Sequence, residues 1–306
     1  MKILPVISAA LCLAALQSCF TGIESTPRIS DSEVRRETPR TRPESSFLKN
    51  IRPERLDEWK PGKQWYVIDD KIRMVLGPSG TDIAVTSGDT ITYEGIRQIT
   101  TVTGEPVAEI LFRLPSGRQA VYRTSQSEAR LREAQQVDIP FAVELSVVDA
   151  VRSKLKGNKY YIITSSWYDT DMQSFTGRRF VPVTVDEVSP GNSYYPILLS
   201  LTDEKGKPFR LYMTSDSESR MPRRFDSLFS LTDPRREYPA ILDSTWQNII
   251  AGRVAEGMTR DECRLAIGSP SSVDRRTGYS YIMEVWTYEN GVYLMFEDGL
   301  LKSFRQ

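Results

Sequence analysis

A nine-residue stretch occurs twice in this chain. Tyr122-Arg123-Thr124-Ser125-Gln126-Ser127-Glu128-Ala129-Arg130 returns as Tyr212-Met213-Thr214-Ser215-Asp216-Ser217-Glu218-Ser219-Arg220, identical at six of nine positions. A looser echo precedes each copy, Gly62-Lys63-Gln64-Trp65-Tyr66-Val67-Ile68-Asp69 against Gly157-Asn158-Lys159-Tyr160-Tyr161-Ile162-Ile163-Thr164. A third follows each, with Phe141, Leu145-Ser146-Val147, Asp149 and Arg152 against Phe225, Phe229-Ser230-Leu231, Asp233 and Arg236. The Ser-x-x-Asp in both reads as the cap of a helical turn. Self-similarity at this spacing requires one structural unit built twice, and two copies are too few for a solenoid.

Inside the first copy, residues 65–68, 72–76, 82–86, 90–93, 107–114 and 119–124 are short and rich in β-branched and aromatic side chains. Pro78-Ser79-Gly80, Gly88-Asp89 and Pro115-Ser116-Gly117 separate them as turns. So many short strands in so few residues predict a small closed barrel. The spacing resembles bacterial SH3-like modules, which implies an aromatic binding groove. Trp65, Tyr66, Tyr93 and Tyr122 in the first copy, and Tyr160, Tyr161, Trp167, Tyr194 and Tyr195 in the second, are either that groove or core.

The N-terminus carries an address. Lys2 precedes an apolar run from Ile3 to Leu16, too short to span a bilayer comfortably and suited to a secretory signal. Leu16-Gln17-Ser18-Cys19 then resembles a bacterial lipobox, which implies lipidation of Cys19 and cleavage before it. Phe20 to Ser46 contains five acidic, five arginine, three proline and nine Ser/Thr side chains. Such a stretch buries too little apolar surface to offset its ordering entropy, so residues 19–46 read as a disordered tether.

Composition narrows the chemistry. The chain has 40 basic and 40 acidic residues and no histidine. Balanced charge argues against a nucleic-acid partner. Without histidine there is no Ser-His or Cys-His nucleophile pair and no His-based zinc site. No phosphate loop or cysteine pair appears, and no cofactor is expected. Cys263 has Arg264 beside it, but reads as a small buried hydrophobe.

The last 65 or so residues form a separate pattern. Asp243-Ser244-Thr245 offers N-caps for one helix, and Thr259-x-x-Glu262 is a capping box opening a second that closes at Gly268-Ser269-Pro270. Asn290-Gly291 and Asp298-Gly299 between apolar runs predict a three-stranded antiparallel meander. Gly257-Met258-Thr259-Arg260-Asp261-Glu262-Cys263, Leu265, Gly268-Ser269-Pro270, Trp286-Thr287-Tyr288, Tyr293, Phe296, Asp298-Gly299 and Leu301 resemble the SmpA/OmlA lipoprotein family. That resemblance implies an accessory of outer-membrane β-barrel assembly, with a fold similar to β-lactamase-inhibitor proteins. Members are typically little more than this domain, whereas here it ends a longer chain. A two-residue Asn290-Gly291 turn would pair Tyr288 with Tyr293 and Trp286 with Met295, and place Phe304 beside them. Trp286, Tyr288, Tyr293, Met295 and Phe304 would then share one face, preferred as a partner surface over a helix-covered one.

The fold expected is mainly β with some α: two tandem SH3-like barrels, then two helices on a three-stranded antiparallel sheet. The boundaries read as signal 1–18, tether 19–46, first repeat 47–145, second repeat 146–240 and SmpA/OmlA-like domain 241–306. The function expected is a non-enzymatic, lipid-anchored protein of the bacterial cell envelope, most naturally the outer membrane. It would present protein-binding modules to an envelope partner, or bind peptidoglycan or peptide through the repeats. The anchor is tested directly: Cys19→Ala should release the chain from the membrane fraction or stall it as precursor, and unchanged partition in cell fractionation would refute it.

Overall fold

The computed structural model describes residues 43–77, 84–215, 221–277 and 282–306. The signal, Cys19 and most of the tether lie outside the described residues, as do 82–83 of an expected strand and 216–220 of the second echo. The described chain is mainly β, arranged as three antiparallel sheets with short helices.

The first sheet holds β1 (Gln64–Val67), β2 (Thr90–Thr100), β3 (Pro106–Arg113), β4 (Gln119–Arg123) and β5 (Ala142–Glu144), with α1 (Glu128–Ala134) between the last two. Its order is β4-β3-β2-β1-β5. After α2 (Leu145–Leu155) the second sheet contains β6 (Lys159–Ile162), β7 (Ser166–Tyr168), β8 (Ser174–Thr176), β9 (Val181–Pro190), β10 (Ile197–Asp203) and β11 (Pro208–Met213). It ends with α3 (Phe225–Leu228) and β12 (Phe229–Ser230), in the order β12-β6-β9-β10-β11-β7-β8. Apart from the β7–β8 hairpin, the second order is the first read from the other edge. The first copy has a reduced counterpart of that hairpin, because Leu76 forms an isolated bridge to Tyr122 of β4, as Tyr168 pairs with Arg210 of β11.

Several local expectations change. Residues 72–76 are not a strand; Asp70–Met74 is a 3-10 helix. The Asp69 carboxylate caps it by accepting from the Lys71 N–H at 2.9 Å, which turns the chain before a strand can extend. Residues 84–86 carry no strand. Ser146 does not cap α2, whose N-cap is Glu144, and Asp243-Ser244-Thr245 do not cap the helix Asp243–Ile250, which starts one residue earlier than that reading requires, with Leu242 at the N-cap. In the second copy Asp233 is itself the cap, accepting from Arg235 N–H at 2.9 Å. The register also shifts the third echo. Val67 pairs with Ala142 and Ile162 with Phe229, so the equivalent of Phe229 is Ala142, not Leu145.

The tether stops earlier than expected. Pro43–Ser46 forms a 3-10 turn, and Glu44 is only 6% exposed. Its Oε1 accepts from Leu231 N–H at 2.8 Å and from the Ser230 hydroxyl at 3.3 Å, closing the outer edge of β12. Phe47 stacks on Phe225 at 4.6 Å, and Leu48 is buried among second-sheet residues. The chain therefore reaches the second repeat before it enters the first.

The third sheet follows α4 (Asp243–Ile250) and α5 (Arg260–Ile267), and contains β13 (Ser272–Thr277), β14 (Ile282–Thr287), β15 (Tyr293–Glu297) and β16 (Leu300–Arg305). It has four strands, ordered β13-β14-β15-β16, where three were expected. The capping box forms as read: Thr259 Oγ1 accepts from Glu262 N–H, and Glu262 Oε2 accepts from Thr259 N–H at 2.7 Å.

The β14–β15 register also differs from expectation. Tyr288 N–H donates to Val292 O at 3.0 Å, so the loop is three residues long, with Gly291 in the left-handed conformation that such a loop uses. Trp286 therefore pairs with Leu294 and Thr287 with Tyr293. A one-residue slip moves every side chain to the opposite face. Trp286 becomes 1% exposed, beside Phe296 at 4.7 Å and beneath the Arg264 guanidinium at 4.9 Å.

Burial follows two clusters. The first sheet has its own core, built on Trp65, Ile91, Ile110 and Phe112. The second core is continuous from Leu48 through α2 and the second sheet into α4, α5 and the third sheet. Trp286→Ala removes a fully enclosed ring from that second core and should cost about 3–5 kcal/mol. Urea denaturation measures it; an unchanged midpoint would restore the two-residue turn and the exposed tryptophan.

Candidate binding site

Of the five C-terminal residues read as a partner surface, Trp286 and Tyr288 turn toward the helices. The Tyr288 hydroxyl donates to Gly268 O at 3.0 Å, and burial pushes its pKa up to about 12. Tyr293 and Met295 lie on the opposite face, half-buried. Phe304 pairs with Leu294 past a bulge in β16 and is 40% exposed. The five do not form one surface; the slipped β14–β15 register and, for Phe304, the bulge in β16 are the reasons.

The nine aromatics read as groove or core divide. Trp65, Tyr93, Tyr160 and Trp167 are buried, whereas Tyr66, Tyr122, Tyr161 and Tyr195 are half-buried and Tyr194 is open to solvent. Two surfaces emerge, one on each repeat, and they differ in how their charges are satisfied.

On the first repeat, Trp59 and Trp65 meet edge to face at 4.8 Å. The Lys63 ammonium lies 5.2 Å and 5.1 Å from their rings. Its side chain is only 5% exposed, and it pairs with Glu144 at 2.7 Å and Glu54 at 2.9 Å. The open cleft beside it, about 680 Å³, also holds the Arg52–Glu58 pair. That pairing holds the Glu58 carboxyl at about 2. Cations and carboxylates here answer one another, so the surface reads as a closed structural lock.

The second repeat is different. Strand alternation sends Trp167 inward, stacked on Phe209 at 3.9 Å, and Tyr168 outward. Gly177 allows this: a Cβ there would lie 2.0 Å from the Trp167 ring. Tyr168 meets Tyr212 at 5.5 Å, and Tyr195 meets Tyr212 at 6.4 Å. The Arg223 guanidinium lies 5.3 Å from the Tyr168 ring and 5.7 Å from the Tyr195 ring.

Tyr195 is held by a tight loop. Gly191 N–H donates to Pro196 O at 2.8 Å, and Asn192 Oδ1 accepts from the N–H groups of Tyr194 and Tyr195. A Cβ at Gly191 would sit 2.1 Å from Tyr195 O, so the loop depends on glycine. On its other side Asn192, Ser193 and Pro196 line a cleft of about 340 Å³ between the two repeats. The result is a shelf of three tyrosines with a guanidinium beside it. Sequence reasoning found Tyr194 and Tyr195 but missed Tyr168, Tyr212 and Arg223. Alternation after the buried Trp167 was the available signal for Tyr168; none marked Arg223.

Compared with known proteins, the chain matches no family model, no curated protein and no solved structure. No cluster of three or more metal-ligating side chains occurs among the described residues.

Cys263 lies fully buried in α5. Burial, reinforced by the Glu262 charge, pushes its thiol up to about 12, so it stays protonated at ordinary pH. In a Cys19→Ser chain freed of its signal, a disulfide reagent at pH 8 should leave Cys263 unmodified until denaturant is added. Stoichiometric reaction of the folded protein would show an accessible thiolate.

Proposed function

We propose that this chain is a lipid-anchored protein of the bacterial cell envelope that binds another protein through the tyrosine shelf of its second repeat, without catalysing a reaction. The observation that carries the reading is the packing of Tyr168 of β7, Tyr212 of β11 and Tyr195, held by a loop whose hydrogen bonds are already made, into one half-buried surface. Aromatic rings held rigid before contact lose little entropy on binding, which is why they dominate interface energetics.

The recurring order β5-β1-β2-β3-β4 supports reading both repeats as SH3-like modules, joined at a boundary near residue 145. In such a module the shelf falls between the hairpin and the β9–β10 loop, where an aromatic groove is expected. The C-terminal unit is read as SmpA/OmlA-like, and the residues carrying that resemblance serve the fold. Met258, Trp286, Phe296 and Leu301 are buried, and Leu301 N–H donates to Met258 O at 2.8 Å. A role in outer-membrane assembly or maintenance is consistent with that unit.

A wall-binding role is the second reading, favoured by the exposed ring of Tyr194, which can stack on a sugar face. A photo-cross-linker at Tyr194 in intact cells tests both. Capture of a distinct envelope protein, lost in Tyr195→Ala/Tyr212→Ala, is the expected result. Each truncation should weaken capture by about 1–2 kcal/mol, the scale of a contributing aromatic at an interface. Cross-linking to sacculi instead would favour the wall, and capture unchanged in the double variant would remove the shelf from either role.

A further inference from the structure

We infer that the tyrosine shelf takes an acidic segment of its partner protein, with Arg223 and Arg210 receiving the carboxylates. The inference rests on the binding role proposed for the shelf and adds the chemistry of what it binds.

Arg223 is a non-glycine residue at φ 72°, a left-handed backbone that costs energy for a side chain of this size. Its carbonyl is held there by the N–H of Thr214 at 3.1 Å, which closes the end of β11. The conformation delivers the guanidinium between the Tyr168 and Tyr195 rings. Nη2 donates to the Ser166 hydroxyl at 3.2 Å, while Nη1 is buried and has no hydrogen-bond partner among the described residues. A buried cationic donor without an acceptor is costly, and its full hydrogen-bonding capacity is unused.

Arg210 lies directly opposite Tyr168 in the β7–β11 pair. Among the described residues its Nη1 meets the Met172 sulfur at 3.5 Å, a weak acceptor. Neither arginine pairs with a carboxylate among the described residues. This is not the habit of the chain: Arg224, next to Arg223, holds Asp226 at 2.9 Å, and Arg152 holds Glu187 at 3.0 Å. Asp169, which follows Tyr168, accepts from the N–H groups of Asp171 and Gln173 and is thereby committed to its own turn.

Two guanidinium groups with weak neutral acceptors, flanking aromatic faces, match a carboxylate-bearing ligand. Carboxylates form charge-assisted, often bidentate bonds to arginine, and a ligand here would displace only a hydroxyl and a thioether. The cleft beyond Ser193 and Pro196 gives such a segment room to continue as an extended chain.

The test is selection of random dodecapeptides, displayed on phage, against the full chain purified from membranes. Enrichment of Asp and Glu is expected. Selected peptides should bind Arg223→Gln at least about tenfold more weakly, the scale of losing a charged hydrogen bond. Arg210→Gln should weaken them too, and Arg118→Gln, on the exposed turn before β4, should not. Thermal midpoints of the variants confirm that they fold, and Arg210→Gln carries the test if Arg223→Gln does not. Selection of neutral or basic peptides, or acidic ones that bind Arg210→Gln/Arg223→Gln as well as the unaltered chain, overturns the assignment. Neutral peptides that are lost in Tyr195→Ala would leave the binding shelf standing and remove only its acidic preference. No enrichment of any peptide would count against both.

Discussion

The second apolar core joins stretches that are remote in sequence. Leu48 near the start, α2 and the second sheet in the middle, and Trp246, Cys263 and Trp286 near the end all contribute to it. Its polar seam is Arg179, whose guanidinium donates to Ile163 O at 2.9 Å and Ala266 O at 3.4 Å, while its own N–H reaches Ile250 O. Burial lowers its pKa, and the carbonyls supply the acceptors that make such burial tolerable. Phe180 stacks on Trp246 alongside. The second repeat is thus packed from two sides, by residues 43–51 and by the C-terminal helices. A core shared in this way holds the shelf's supporting strands more firmly than a sheet of this size could alone.

The two repeats show how one strand order can carry different surfaces. The first places its cation inside a ring of carboxylates and tryptophans, where Lys63 answers Glu54 and Glu144. The second replaces the short 3-10 segment with the β7–β8 hairpin, and this brings Tyr168 beside Tyr212. The added hairpin also supplies Ser166 and Met172, the weak neighbours of the two arginines. The two share backbone pairing, which depends on alternation and turns, while their side-chain chemistry differs on the outer face.

Legibility in the sequence followed distance along the chain. The Thr259–Glu262 capping box spans one helical turn and formed as read. The Asp298-Gly299 turn formed and pairs Phe296 with Leu301, but the bulge beyond it sets Phe304 opposite Leu294 and not Tyr293. β13 escaped notice because Ser272-Val273-Asp274-Arg275-Arg276-Thr277 has no apolar alternation; it is an exposed, charged edge strand, which natural sheets favour for avoiding unwanted pairing. Asn290-Gly291 signalled a hairpin correctly, but the same dipeptide serves loops of two or three residues. Packing of Trp286 against Phe296 and α5 selected the longer one.

The sequence by itself determined the repeated pattern, the β-rich character, the Thr259–Glu262 cap and the places of the two C-terminal hairpins, because each rests on contacts between near neighbours or on a repeat. Only the tertiary structure decided which face Trp286 occupies and which repeat the Glu44–Leu48 segment joins. It also decided that Tyr168, Tyr195, Tyr212 and Arg223 meet. Those outcomes depend on register and on burial competition between distant segments. A one-residue slip or a different docking edge leaves every local signal unchanged while moving each side chain to another environment.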